Sequence, residues 1–245
     1  VFVIYGPITE TLTAPIYLSD TERVGLTIYG DVAYDRLGRA VTVGDVNGDG
    51  VDDLIVGAFM ADRGSFIAAH GSGKVYVFYG SEDLPNTTSI DLRTRTADVT
   101  IIGAGQYDRL GRSIAAGDVN GDGIDDLILG MYYAGEVVDT PPTYGPGEVV
   151  LIYGSETLSE TIDLYTNNIT GQGLGVRFRG VDAGDGVGFF VASGNINGAR
   201  NSETGVGYAD ILVGVFRDSL NENGRGYLLY GGSEITAGVT ITSGT

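Results

Sequence analysis

The chain of 245 residues has no cysteine and no tryptophan, a single histidine (His70) and a single lysine (Lys74). Without cysteine there is no disulfide and no thiolate chemistry. That leaves the compartment open, because metal ions can staple loops where disulfides are missing. The lone histidine would have to centre any His-based triad or relay. It sits in "SFIAAHGSG" with no neighbouring Ser–Asp pattern, so no catalytic residue is assigned. Basic residues are scarce: 14 Lys and Arg face 32 Asp and Glu, a formal net charge of −18. Phosphate contacts need a basic surface, so nucleic acid is excluded as a partner and anionic lipid is disfavoured. No apolar run is long enough for a membrane helix, and membrane insertion is not expected. No phosphate loop or dinucleotide fingerprint occurs. The N-terminus carries neither a signal peptide nor an initiator Met. Val1 opens directly into the strand-like "VFVIYG", so the start of the gene product is expected upstream.

What is plentiful is glycine, 41 residues, well above the ordinary share of about 7%. The glycines lie between short apolar runs, which signals many turns and not a flexible tail. The chain also repeats. "VFVIYG" returns as "VYVFYG", "VVLIYG" and "GYLLYG", whose closing glycines at 6, 80, 154 and 231 are 74, 74 and 77 residues apart. "YDRLGRAV" from Tyr34 matches "YDRLGRSI" from Tyr107 and, more loosely, "AGDGVGFFV" from Ala183. The apolar runs are five to seven residues long, alternating or β-branched, and bounded by Gly, Asp, Asn or Pro. This is the strand pattern, and no window holds a helical period.

Four strands per repeat are expected: Arg39 to Gly44, Asp53 to Phe59, Lys74 to Tyr79 and Asp98 to Ile102, then Arg112 to Gly117, Asp126 to Met131, Glu148 to Tyr153 and Gly175 to Arg179. A third repeat supplies Gly188 to Ser193, Asp210 to Val215 and Gly226 to Tyr230, without a formed fourth strand. Val1 to Tyr5 and Val24 to Tyr29 read as strands three and four of an earlier unit. Short antiparallel strands in fours with glycine turns predict an all-β fold of β-propeller blades. The divisions are residues 1–30 (the end of a preceding blade), 31–103, 104–180, and 181–245 (a blade lacking its last strand).

"GDVNGDGVDDLIVGA" (Gly44 to Ala58) returns as "GDVNGDGIDDLILGM" (Gly117 to Met131). Asp45, Asn47, Asp49, the Val51 carbonyl and Asp53 occupy positions 1, 3, 5, 7 and 9 of a loop. Asp118, Asn120, Asp122, the Ile124 carbonyl and Asp126 repeat the set. Alternate spacing turns oxygens inward, and Gly48 and Gly50 permit the tight curl. An all-oxygen set with three carboxylates suits a hard cation, calcium before magnesium. Zinc is disfavoured because no His or Cys is near. Asp52 and Asp125, at even positions, are expected to face solvent. The alternative is an Asx-rich turn without metal, but three carboxylates in nine residues would repel one another there. The loop starts like an EF-hand and then departs, because position 12 falls on Val56 and Leu129, where Glu is required. A weaker third set is Asn195, Asn197, Tyr208 and Asp210, in a longer loop where Arg200 could replace the ion with a positive side chain.

The stretch "DRLGRAVTVGDVNGDGVDDLIVGAF" followed by "GKVYVFYG" resembles the FG-GAP repeat of integrin alpha-subunit propellers and their bacterial relatives. Leu37-Gly38 and Leu110-Gly111 stand for the Phe-Gly pair. Gly57-Ala58-Phe59 stands for Gly-Ala-Pro, and Gly130-Met131-Tyr132 departs further. The resemblance implies a calcium loop between strands one and two on the lower face of each blade. It also implies binding surfaces on the upper face, from the loops Met60 to Gly73, Tyr132 to Gly147 and Arg217 to Gly224. Gly30 to Gly38, Gly103 to Gly111 and Gly180 to Gly186 complete that face. These contain Phe66, His70, Tyr132, Tyr133 and Tyr144, which either meet protein or sugar or simply cover the sheet ends.

The family's propeller has seven blades and this chain about three. It is therefore expected to belong to a longer protein or to assemble with copies of itself, as a six-blade ring or a head-to-tail polymer. Two functions are carried forward. One is an extracellular or cell-surface, calcium-stabilised structural or adhesion module that contacts proteins. The other is the non-catalytic, lectin-like, glycan-binding propeller of a secreted enzyme. Asn86-Thr87-Thr88 and Asn168-Ile169-Thr170 match the glycosylation sequon.

Overall fold

The computed structural model describes residues 1–5, 18, 25–64, 71–82, 84, 88–135, 144–216, 224–233, 235, 240 and 241. Among these the fold is all-β. The strands are β1 (Phe2–Val3), β2 (Leu26–Tyr29), β3 (Leu37–Gly44), β4 (Asp53–Ala58), β5 (Lys74–Phe78), β6 (Ser89–Asp91), β7 (Val99–Ile102) and β8 (Ile114–Gly117). They continue as β9 (Asp126–Met131), β10 (Glu148–Ile152), β11 (Thr161–Asp163), β12 (Gly175–Gly180), β13 (Val187–Gly194), β14 (Asp210–Val215), β15 (Arg225–Leu229) and β16 (Thr240–Ile241).

Four sheets follow one another, in the orders β1-β2-β6, β3-β4-β5-β7-β11, β8-β9-β10-β12-β16 and β13-β14-β15. The second and third hold the expected antiparallel strands one to four. Val41 faces Val56, Val56 faces Tyr76, and Tyr76 faces Thr100. The fifth strand of each was not foreseen. The connector between strands three and four runs back to the preceding sheet and adds a short parallel strand to its outer edge. Thr27 pairs with Ser89, Thr100 with Thr161 and Arg179 with Thr240. The tail around Thr240 thus does in the fourth sheet's connector what "SIDL" and "TIDL" do earlier. Ile90 and Ile162 are the buried residues of those edge strands, at 1% and 3% exposure.

Consecutive residues of a strand point to opposite faces. In the inner strands β4, β5, β9 and β10 both faces are covered, and each strand divides its side chains between two cores. Ile55, Val75, Val77, Leu127, Leu129, Val150 and Ile152 fill one core. Their neighbours Val56, Tyr76 and Phe78 join Leu26 and Ile28 on one side, while Ile128, Val149 and Leu151 join Ile211 and Val213 on the other. The three cores therefore lie between successive sheets, face to face. This is the stacking of propeller blades and the reason that the runs "VDDLIVGA" and "GEVVLIYG" are continuously apolar instead of alternating. Burying one such Leu, Ile or Phe side chain contributes about 1.5 to 3 kcal/mol.

Candidate metal centres

The two acidic loops join β3 to β4 and β8 to β9, and they have the same internal geometry. Asp45 Oδ1 accepts the Gly48 and Asp49 N–H groups at 2.7 and 3.1 Å, and Oδ2 accepts Gly50 N–H at 2.8 Å. Asp118 repeats this with Gly121, Asp122 and Gly123 at 2.6, 3.1 and 2.9 Å. Asn47 Oδ1 accepts Asp49 N–H and Asn120 Oδ1 accepts Asp122 N–H, each at 2.9 Å. Asp49 and Asp122 accept the N–H of Val51 and Ile124. Gly48 and Gly50 have φ of +75° and +84°, and Gly121 and Gly123 +78° and +92°. These left-handed angles wind the first turn around the position-1 carboxylate, and a side chain would resist them.

The position-9 carboxylates are the most deeply placed. Asp53 and Asp126 are each 0% exposed. Asp53 Oδ2 accepts Val46 N–H at 3.0 Å and Oδ1 accepts Gly80 N–H at 2.9 Å. Asp126 does the same with Val119 at 2.9 Å and Gly154 at 3.0 Å. Each thus ties its loop to the glycine that ends the third strand. A Cβ on Gly80, Gly154 or Gly231 would stand 2.3 Å from the carbonyl oxygen of Asp52, Asp125 or Ala209 respectively. The recurring Tyr-Gly therefore marks a backbone-to-backbone approach that no other residue fits.

Burial pushes the Asp126 carboxyl up to about 7; the Gly154 and Val119 N–H groups pull it back, while Asp122 and Asp118 push it further. Burial likewise raises Asp53 to about 6, against its two N–H bonds and with help from Asp49 and Asp45. Asp118 is also raised, by burial first. The ion-free loops thus hold carboxylates that resist ionisation, which is the electrostatic condition a cation relieves. The donor set fits a hard cation: three carboxylates, one amide oxygen and a carbonyl, with no nitrogen or sulfur ligand. Among the described residues, no group of three or more His, Cys, Asp or Glu side chains is arranged to hold a metal as it stands. Within each loop the amide of Asn47 or Asn120 donates into the position-5 carboxylate, at 3.0 and 2.8 Å. An ion would have to displace that contact.

Each loop also reaches the next blade. The Asp45 and Val46 carbonyls accept N–H from Asp125 at 2.8 Å and Ser155 at 3.0 Å. The Asp118 and Val119 carbonyls accept from Ala209 at 2.7 Å and Gly232 at 2.9 Å. Asp52 is exposed as expected, but Asp125 is not free in solvent. Its Oδ2 accepts Asp45 N–H at 3.2 Å, and burial raises its carboxyl. The loop alone turns position 8 outward; the neighbouring blade closes over it.

The third loop differs. Asp210 keeps the hub: Oδ2 accepts Ile196 and Asn197 N–H at 2.8 and 3.1 Å, and Oδ1 accepts Gly231 N–H at 3.0 Å. Asn195 instead donates to the Ala199 carbonyl, and Arg200 to the Gly205 carbonyl. Arg200 therefore closes its own loop and does not enter the position of an ion. Asn201 donates to the Gly121 carbonyl at 2.9 Å, and the Tyr208 ring lies against Gly121, so the longer loop leans on the second acidic loop.

Of the upper-loop residues, Tyr132 is buried, and Tyr133 and Tyr144 stack at 3.9 Å. Tyr132 thus covers a sheet end. Phe66, His70, Asn86 and Thr87 lie outside the described residues, as do parts of the loops at 65–70, 136–143 and 217–223. Sequence reasoning missed Arg112, whose guanidinium sits 4.5 Å from the Phe189 ring and within 6.0 Å of Phe59, Tyr132 and Phe190. The repeated "DRLGR" was its only signal.

The FG-GAP repeat family model matches residues 37–78 and 110–152, so both acidic loops fall inside a matched repeat. Integrin alpha-IIb of Mus musculus is 32% identical over 196 residues, covering 77% of this chain and 16% of that protein. Integrin alpha pat-2 of Caenorhabditis elegans is 28% identical over 218 residues, 85% of this chain and 15% of that protein. The phosphatidylinositol-glycan-specific phospholipase D of Homo sapiens is 33% identical over 134 residues, 55% of this chain and 14% of that protein. The chain thus spans about a sixth or less of these relatives. Among the described residues no helix is long and apolar enough to cross a membrane.

Proposed function

We propose, on the footing that this is an FG-GAP repeat protein, that it is an extracellular or cell-surface adhesion-type module that binds calcium and acts through protein–protein contacts, without catalysis. The observation that carries the reading is the duplication of one loop geometry. The same carboxylates, amide and glycines recur 73 positions apart, and both copies strap the same two carbonyls to the next blade. Asp45, Asn47, Asp49, the Val51 carbonyl and Asp53 would hold one ion, and Asp118, Asn120, Asp122, the Ile124 carbonyl and Asp126 a second. Asn195, Asn197, Tyr208 and Asp210 would hold none, since position 1 has lost its carboxylate and the Asn197 and Asp210 oxygens already accept N–H groups of the blade. Calcium supplies positive charge that lets the buried carboxylates ionise together; the chain supplies the curl and the straps. The affinity expected of extracellular sites suits a permanent structural ion and not a signal.

The absence of catalysis follows from the same assignment, because the best carboxylate clusters are committed to the ions. Blades divide at 31–103, 104–180 and 181–245. Contact with copies of itself is supported by large apolar side chains exposed on the first two sheets and on the last. Phe2, Val41 and Val43 are 47%, 55% and 53% exposed on the first two sheets, and Phe190 and Leu212 are 59% and 44% exposed on the last. Light scattering in millimolar calcium, and again after calcium removal, tests this. A defined oligomer that dissociates or unfolds on removal supports the reading. A monomer of 25.6 kDa in both conditions, with no bound calcium by elemental analysis, overturns it.

A further inference from the structure

A groove of about 1010 Å³ opens between the second and third sheets and shares no residue with the acidic loops. That is the upper end of the range for small-molecule sites. One wall is the turn after β11, the other is β10 and β12. From these walls we infer that the groove binds a neutral oligosaccharide.

Three observations point there. First, the groove is rimmed by a fixed aromatic. Tyr165 is 73% exposed, and the Arg63 guanidinium lies 4.8 Å from its ring centre. Arg63 is itself held by the Asp163 carboxylate and by the Gly103 carbonyl at 3.1 Å. The contact restrains the ring from one side, which lowers the entropic cost to a ligand that packs on it.

Second, unused hydrogen-bonding groups converge. Glu148 is 6% exposed, and its Oε1 takes Arg177 Nη1 at 2.9 Å with Arg179 Nε at 3.6 Å. Its Oε2 accepts no hydrogen bond from the described residues, yet it is not sealed away from the groove. Arg177 is locked by its second bond, to the Leu164 carbonyl at 2.8 Å. The Gln106 amide and the Thr170 hydroxyl line the same space and make no side-chain bond to the described residues. A held carboxylate oxygen, an amide and a hydroxyl are the mixed acceptors and donors that sugar hydroxyls need.

Third, the charge balances. The charged lining residues are Asp108, Glu148, Arg177 and Arg179, two of each sign, on a chain whose net charge is −18. A uronate or sulfated sugar would meet no net positive field there, and a neutral one meets no opposing one.

The test uses saturation-transfer NMR and calorimetry on the whole calcium-loaded chain. The probes are maltotriose, cellotriose, mannotriose and triacetylchitotriose, with trigalacturonate as the charged control. At least one neutral trisaccharide should bind with a Kd in the millimolar range or tighter. Tyr165→Ala and Gln106→Ala, both changes at accessible side chains, should each weaken it by about tenfold, about 1.4 kcal/mol. Melting curves confirm that the variants fold. The inference is overturned if no neutral trisaccharide binds, if both variants bind within about twofold of the parent, or if trigalacturonate binds best. None of these outcomes depends on whether the acidic loops hold calcium.

Discussion

Removing calcium should reverse the sign of this protein's response to acid. Asp126 carries the argument, because it is fully buried and its carboxyl stands at about 7 instead of 3.8 when no ion is present. A carboxyl raised in the folded state binds its proton more tightly there than in the unfolded chain. Between roughly pH 4 and 7 the native state therefore holds more protons, and stability falls as pH rises. At pH 7.5 the ion-free protein bears about 4 kcal/mol of unfavourable ionisation at this one group, and at pH 5 about 2 kcal/mol. Acidification from 7.5 to 5 should then stabilise it by about 2 kcal/mol, or raise its Tm by about 4 to 8 °C for a chain of this size. With calcium bound the logic inverts. The ion keeps the carboxylates charged, protons compete for the same oxygens, and acid weakens binding. Each site held at about a hundredfold excess of calcium over its Kd contributes about 2.7 kcal/mol, and this is what acid erodes.

The assay is thermal unfolding by circular dichroism at pH 5, 6 and 7.5. One sample is stripped over a chelating resin, because soluble chelators release calcium in acid, and the other holds millimolar calcium. The Tm should rise on acidification in the first and fall in the second. Asp126→Asn, which cannot titrate, should flatten the first trend. Curves that move the same way in both samples would refute the reasoning, since the raised carboxylates would then not be the groups that bind the ion.

Other outcomes follow from single contacts. Gly80→Ala puts a Cβ 2.3 Å from the Asp52 carbonyl and should cost about 3 kcal/mol or more in urea unfolding. Gly50→Ala has nothing within 4 Å and only its φ of +84° to resist it, so about 1 kcal/mol is expected. Asp210→Ala leaves the N–H groups of Ile196, Asn197 and Gly231 without their acceptor and should lose about 3 kcal/mol while bound calcium stays unchanged. Asp53→Ala should lower both, with one ion fewer per chain by elemental analysis. Arg93→Ala breaks an exposed pair with Asp91 and should leave the Tm unmoved, because solvent screens it.

The strands and their order were legible because both sheet faces are buried. Runs such as "DLILGM" could not be turn or helix between glycines, and β9 spans Asp126–Met131 as expected from its pattern. The repeat spacing located equivalent strands without any contact information. What escaped were features that depend on a second blade. The parallel edge strands β6 and β11 are three residues long with one buried residue each, too short for any periodicity to show. Asp125 looked outward until the Asp45 amide of the adjacent blade was placed beside it. The groove at Tyr165 combines residues from two blades, and no local pattern joins Gln106 to Arg177. The glycine of the Tyr-Gly pair was visible as a marker, but its cause, a carbonyl from a residue 28 or 29 positions earlier in the first two repeats, was not.

The third loop shows what the acidic loops are for. All three share the position-9 carboxylate and its tie to the Tyr-Gly glycine, so that hub serves the blade whether or not an ion is held. The loops differ in how the segment before the hub is held. In the first two, a position-1 carboxylate gathers three N–H groups and a second acid stands beside it at position 5, a crowding of like charges that a cation would relieve. In the third, both acids are gone and extra chain takes their place, fastened by Arg200 to Gly205 and by Asn201 to the neighbouring loop. On the proposed calcium assignment, the first closure responds to ion concentration and the second does not. Because the carbonyls of Asp45, Val46, Asp118 and Val119 hold the following blade, the adjustable closures sit at blade–blade contacts. Calcium should therefore govern how rigidly successive blades are joined, more than whether each blade forms. Hydrogen exchange read at the Asp125, Ser155, Ala209 and Gly232 amides should show this. Their protection should fall on calcium removal while the amides of β5 and β10 keep theirs; equal loss at both sets would place the ion's role inside the blade.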